Sequence, residues 1–263
     1  MIYCIGDSYM AGDELVDYLH VPNYPKLMSL DSSDFEVKHF RKWYEKNVLS
    51  LPMEQRANIK IQAKEFAYPN LISKKLNVEV INAAEPGASM EFIATKLIDD
   101  IIKLKASGKT VKLVIAQLTG HSRVYAALNG ILGSYLLGFE NYHPDVIEML
   151  KPRVIHETNY SLYRAWLFNV IRIYDFCRAN NINLIIDRNN ETKKLHEYAK
   201  RFTDLVELEN YINVKLFNLF DEVRKLDNKW VSTICPNGHY SQPVHDAMAN
   251  TLADYINECN LLV

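Results

Sequence analysis

Short apolar runs alternate along this chain with amphipathic stretches of ten residues or more, and few folds accommodate that alternation. Met1-Ile2-Tyr3-Cys4-Ile5, Val78-Glu79-Val80-Ile81, Val111-Lys112-Leu113-Val114-Ile115-Ala116 and Ile182-Asn183-Leu184-Ile185-Ile186 each read as a strand. The third is the most apolar and is expected at the centre of the sheet. Phe92, Ile93, Leu97, Ile98, Ile101 and Leu104 recur at helical spacing between the second and third strands. Tyr160 to Ala179, Val214 to Arg224 and Gln242 to Cys259 also read as helices, one starts at Tyr68-Pro69, and a short one covers Asp13 to Leu19. A strand, a crossover helix and a second strand in one sheet make a parallel pair covered on both faces. The expectation is an α/β domain with a parallel sheet of about five strands, Leu205-Val206-Glu207-Leu208 being the fifth. Two segments interrupt the alternation, about 20–66 and about 129–157. They read as insertions of short helices and irregular chain within one domain spanning 1–263.

Composition narrows the function classes. The 263 residues are 48% hydrophobic and 24% charged, enough for a sizeable core. The net charge is -2, and the lysines and arginines are scattered. The basic footprint of a nucleic-acid binder is therefore absent. Cys4, Cys177, Cys235 and Cys259 are widely spaced and read as reduced thiols. No apolar run reaches membrane-spanning length, and the first strand begins at Met1, which leaves no room for a signal peptide. A cytoplasmic protein without membrane or nucleic-acid partners is expected; the oligomeric state is left open.

The first strand ends in Gly6-Asp7-Ser8, followed by Gly12. A serine there stands at the strand's carboxyl end, where open parallel sheets place their active sites. Asn237-Gly238-His239-Tyr240-Ser241 puts His239 on a loop just before the last helix. A hydroxyl and an imidazole make a nucleophile and its base. His245, inside that helix, reads as a packing or hydrogen-bonding residue. Gly87 follows the second strand, where its N–H is available as an oxyanion donor.

These pieces together resemble the SGNH (GDSL-type) hydrolase superfamily: Gly6-Asp7-Ser8, Gly87 after the second strand, a polar turn after the third, and a terminal loop histidine. Tyr68-Pro69, Asn82-Ala83 and Gly87-Ala88-Ser89 resemble members carried by tailed bacteriophages. The resemblance implies a flavodoxin-like three-layer α/β/α fold, Ser8 as nucleophile, His239 as general base, and the Ser8 and Gly87 N–H groups as oxyanion donors. Two departures stand out. The family's third block supplies an asparagine, whereas Gln117-Leu118-Thr119-Gly120-His121-Ser122-Arg123 has none. Thr119, His121 and Ser122 are the candidate replacement donors, Thr119 being the one carried forward. The family's aspartate two or three residues before the histidine is replaced by Pro236 and Asn237. Either a backbone carbonyl orients His239 or an acid arrives from elsewhere, with Asp187 the candidate; a Ser-His dyad is the working expectation. Arg123 and His121 are candidate substrate-binding residues, Arg123 for an anionic group.

Two rival constellations are weaker. Gly120-His121-Ser122-Arg123-Val124 approaches a Gly-x-Ser-x-Gly elbow but lacks the second glycine. His121, His239, His245 and Asp246 show no metal-helix spacing, so no metal and no cofactor is expected. The expected function is a serine-dependent ester hydrolase working through an acyl-enzyme. Its substrate would be a small acyl ester, such as an acetyl group, on a carbohydrate or other polar molecule. The alternatives are an acyltransferase using the same groups and a catalytically decayed fold serving as a binding or assembly module. Trp43, Tyr44, Tyr142 and Trp166 are compatible with sugar stacking.

Overall fold

The computed structural model describes residues 1–13, 15–21, 28–29, 43–44, 46–48, 50–128, 131–137, 144–156, 158–188, 199–214, 216–226, 233–234 and 239–263. Along the first part of the chain run β1 (Ile2–Ile5), α1 (Ser8–Ala11), α2 (Asp17–His20), β2 (Met28–Ser29), α3 (Met53–Phe66), α4 (Tyr68–Leu76), β3 (Val80–Asn82) and α5 (Met90–Ala106). Then come β4 (Leu113–Gln117), β5 (Arg123–Leu128), β6 (Ile131–Leu136), α6 (Pro144–His156), α7 (Asn159–Ala179) and β7 (Asn183–Asp187). The chain closes with α8 (Thr203–Tyr211), β8 (Leu216–Phe217), α9 (Leu219–Leu226), β9 (Thr233–Ile234) and α10 (Gln242–Glu258). Among the described residues, no helix is long and apolar enough to cross a membrane. The chain divides into two compact units, Met1–Pro86 with Asn218–Val263, and Gly87–Phe217.

In the first unit β1 is wholly buried and pairs in parallel with β3, Ile2 opposite Val80 and Cys4 opposite Asn82. The ladder runs on past the strands, with the Ala83 N–H donating to the Cys4 carbonyl at 2.8 Å and that of Glu85 to Gly6 at 3.1 Å. That extension holds the Gly6-Asp7-Ser8 turn. Pro69 sits in the first turn of α4, where a missing N–H costs nothing. α4 packs against β3 and α10. α10 buries Val244, Met248, Ala249, Leu252, Ala253 and Ile256, one helical face.

In the second unit β4, also wholly buried, pairs in parallel with β7 over five residues, Leu113 opposite Asn183 to Gln117 opposite Asp187. β8 continues the parallel pairing at Ile186–Leu216 and Asp187–Phe217. α5 and α7 pack on one another, and α7 also meets β7 and α8. Counting the parallel strands alone, the pairing is second with first in one unit and third, fourth and fifth in the other. Those are the pairings of a flavodoxin-like α/β sheet. Four of the strands have three residues or more, and the fifth, β8, has two.

Four local expectations are corrected. Residues 205–208 lie in α8, because Leu205, Leu208 and Ile212 share one helical face with Leu205 and Ile212 buried. The fifth strand is instead Leu216–Phe217, inside the span read as the helix Val214 to Arg224, which begins only at Leu219. Residues 123–136 form an antiparallel hairpin, Arg123 opposite Leu136 and Leu128 opposite Ile131. The hairpin and α6 occupy much of the segment read as irregular, and 138–143 lie outside the described residues. Within the helix expected over Asp13 to Leu19 only the single turn α2, from Asp17, is helical among the described residues, and the turn α1 precedes that span. In the 20–66 segment α3 is a full 14-residue helix, and 22–27 and 30–42 lie outside the described residues.

Candidate active site

α1 is one turn long and is built around its caps. The Asp7 carboxylate accepts the Tyr9 N–H at 3.1 Å, an N-cap that satisfies one of the turn's orphan donors. Ser8 is the first helical residue and is buried. Among the described residues neither its hydroxyl nor its N–H makes a hydrogen bond, so both are available for chemistry. Its carbonyl accepts from two N–H groups, those of Gly12 and of Asp13, the latter at 3.0 Å. Gly12 closes the turn at φ +77°, and a Cβ there would lie 2.8 Å from Ala67 Cβ and 2.9 Å from the Ala63 carbonyl. Only glycine meets both conditions.

His239 belongs to the same unit as Ser8. Its ring lies 5.4 Å from the Tyr9 ring, centroid to centroid, and its Nε2 is 3.8 Å from Asp13 Oδ2. The loop histidine therefore rests against two residues that closely follow Ser8 in the sequence. Sequence reasoning missed both neighbours, because nothing marks Tyr9 or Asp13 until the terminal loop folds over them. No hydrogen bond joins Ser8 to His239 among the described residues; such bonds are often long in ligand-free sites. Pro236 and Asn237 lie outside the described residues.

His245 is fully enclosed, and its Nδ1 accepts the Tyr68 N–H at 3.1 Å, capping α4. It stacks on Tyr68 at 5.7 Å and meets the Tyr240 ring edge-on at 6.2 Å. Burial, with a smaller push from His239, lowers its pKa to about 3. A neutral, capping histidine agrees with the packing role expected of it.

The second unit holds the remaining candidates. Gly87 adopts φ +79°, with Arg123 Nη1 3.8 Å from the place a Cβ would take. Ser89 caps α5, and its N–H donates to Ser134 Oγ on β6 at 3.0 Å, which fixes the hairpin to the helix start. The Thr119 carbonyl accepts the Trp166 Nε1–H at 2.7 Å, while its fully buried Oγ1 has no hydrogen-bond partner among the described residues. His121 is half-buried, edge-on to Tyr163 at 6.4 Å. Ser122 lies in the same turn, its carbonyl accepting the Leu137 N–H at 2.9 Å. Asp187, the acid considered for His239, accepts a hydrogen bond from Gln117 Nε2 at 3.1 Å, while Asp13 presents a carboxylate oxygen 3.8 Å from His239 Nε2.

The aromatic residues have structural roles where described. Trp166 is buried against Tyr163 and the Thr119 carbonyl, and Tyr44 packs with Val21 and Val48, with Trp43 against them. Tyr142 lies outside the described residues. Among the described residues no three His, Cys, Asp or Glu side chains are grouped to hold a metal ion.

No family model and no curated protein matches the sequence. Solved structures do resemble it. One, described as a lipolytic protein of the G-D-S-L family from Desulfitobacterium hafniense DCB-2, is 11% identical with a TM-score of 0.47, covering 96% of this chain and 97% of that one. The esterase EstA from Pseudoalteromonas sp. is 12% identical, with a TM-score of 0.48 and 98% and 97% of the two chains covered. A carbohydrate esterase whose active site displays divergent catalytic and non-catalytic binding functions is 12% identical, with a TM-score of 0.49. All of this chain is covered there, but it spans only 66% of that protein.

Proposed function

We propose that the protein is an SGNH-type serine ester hydrolase that removes a small acyl group, such as acetyl, from a carbohydrate or related polar substrate. The observation that carries the reading is the seat of His239 against Tyr9 and Asp13, the neighbours of a buried Ser8 whose hydroxyl makes no hydrogen bond among the described residues. His239 takes the Ser8 proton as Oγ attacks the ester carbonyl. The negative charge that develops on the carbonyl oxygen is met by the Ser8 N–H. The tetrahedral adduct collapses to the acyl-enzyme, His239 returns the proton to the leaving alcohol, and water then repeats the sequence to release the acid. The substrate class follows from the family resemblance.

A fluorophosphonate probe tests this directly. The native protein is expected to be labelled at neutral to mildly alkaline pH, with labelling lost in Ser8→Ala. Labelling that persists in that variant overturns the assignment of the nucleophile. An unlabelled native protein favours a non-catalytic binding module. Acetyl release measured with and without an acceptor alcohol separates hydrolysis from acyl transfer.

A further inference from the structure

We infer that Asp13 is the positioning residue for His239, supplying from the turn after α1 the carboxylate that residues 236 and 237 lack. The inference rests on the serine-hydrolase reading of Ser8 and His239. Three observations carry it. The first is distance: Asp13 Oδ2 lies 3.8 Å from His239 Nε2, with the two side chains 21% and 13% exposed. The second is the way the carboxylate is held. The Asp13 N–H donates to the Ser8 carbonyl at 3.0 Å, and the left-handed Gly12 turns the chain so that residue 13 doubles back toward residue 8. Nucleophile and acid are thus fixed to one another by a six-residue turn, and His239 brings the imidazole. The third is exclusivity, since among the described residues the Asp13 carboxylate makes no other ion pair or hydrogen bond. A carboxylate serving the fold would be expected to cap a helix or join a network, as Asp7 does.

A carboxylate on this side of the ring favours the tautomer with the proton on Nε2, which leaves Nδ1 as the nitrogen that takes the serine proton. It also stabilises the imidazolium formed when His239 takes the serine proton. Among the described residues, the Tyr9 ring on α1 and His245 on α10 also lie near His239, and burial holds His245 neutral. Magnitude follows from exposure. In the serine-protease template, replacing the buried aspartate by asparagine costs about 10⁴ in rate. Here the pair is partly solvated and not in hydrogen-bond contact, so about tenfold is expected.

The test compares native protein with Asp13→Asn, Asp13→Glu and Ser8→Ala, following the pH profile of probe labelling and the His239 titration by NMR. Asp13→Asn is expected to lower the labelling rate about tenfold. Because His239 must be neutral to act as base, and the carboxylate favours its charged form, the rising limb and the NMR titration should move to lower pH. Asp13→Glu, which retains the charge, should hold both near their native positions. A fall in rate with limb and titration unmoved in Asp13→Asn overturns the inference, since a merely structural aspartate would give that result. An unchanged rate and limb in Asp13→Asn, with labelling abolished in Ser8→Ala, also overturns it and leaves the hydrolase reading intact. Labelling that survives Ser8→Ala removes the reading on which it rests.

Discussion

Thr119 combines complete burial with a hydroxyl that has no hydrogen-bond partner among the described residues. A buried, unsatisfied hydroxyl costs about 1–3 kcal/mol, so a fold that only needed the volume would be served as well by valine. Its backbone already has a job, because the carbonyl takes the Trp166 N–H. Thr119→Val is expected to leave the melting temperature unchanged or raised, since it removes the unsatisfied hydroxyl at nearly constant volume. Calorimetry on the two proteins checks this. A variant that melts lower would show that the hydroxyl holds the turn.

At the scale of elements, α1 is too short to be stable by propensity, so its geometry depends on its two ends. Asp7 caps one, and Gly12 closes the other against Ala63 and Ala67, where α3 gives way to α4. Gly87 shares the left-handed conformation but has open space, Arg123 Nη1 being at an ordinary contact distance of 3.8 Å. The pair separates torsional strain from collision. Gly87→Ala should cost about 1 kcal/mol, the penalty for a Cβ in the left-handed region, whereas Gly12→Ala should cost at least about 2 kcal/mol more. Gly12→Ala should also lower activity, because residue 13 is carried on that turn. Urea denaturation of the two variants measures the difference, and equal losses would mean that the contacts at Gly12 relax at no cost.

For the whole molecule, the buried imidazole of His245 links stability to pH. Its pKa is lowered to about 3 in the folded chain from an ordinary 6.5, so the unfolded chain binds a proton that the folded chain refuses between those limits. The contribution is fully present above pH 6.5 and is lost as pH falls toward 3. The expected slope is about 1 kcal/mol per pH unit within that window. Melting temperature should fall on acidification below 6.5, and His245→Gln, which keeps an acceptor for the Tyr68 N–H, should flatten that part of the curve. A melting profile identical in the two proteins from pH 4 to 7, roughly the range of an ordinary histidine titration, would remove His245 as the cause.

The amino-acid sequence by itself determined the α/β class, the four longer parallel strands and the turn that presents Ser8. All follow from local hydrophobic periodicity and from punctuation by Gly6, Pro69 and Gly87. Helices such as α5 and α10 were legible for the same reason, their buried faces recurring within a single stretch of chain. Short apolar runs were not. Leu205–Leu208 and Leu216–Phe217 carry too few residues to distinguish strand from helix, and their state depends on which neighbour covers them. Tertiary structure alone decided that Arg123–Leu136 pairs as a hairpin, that His245 caps a helix 177 residues away, and that Asp13 faces His239. Partners of that kind are chosen by contacts between distant stretches of chain, and those exist only once the apolar faces have packed.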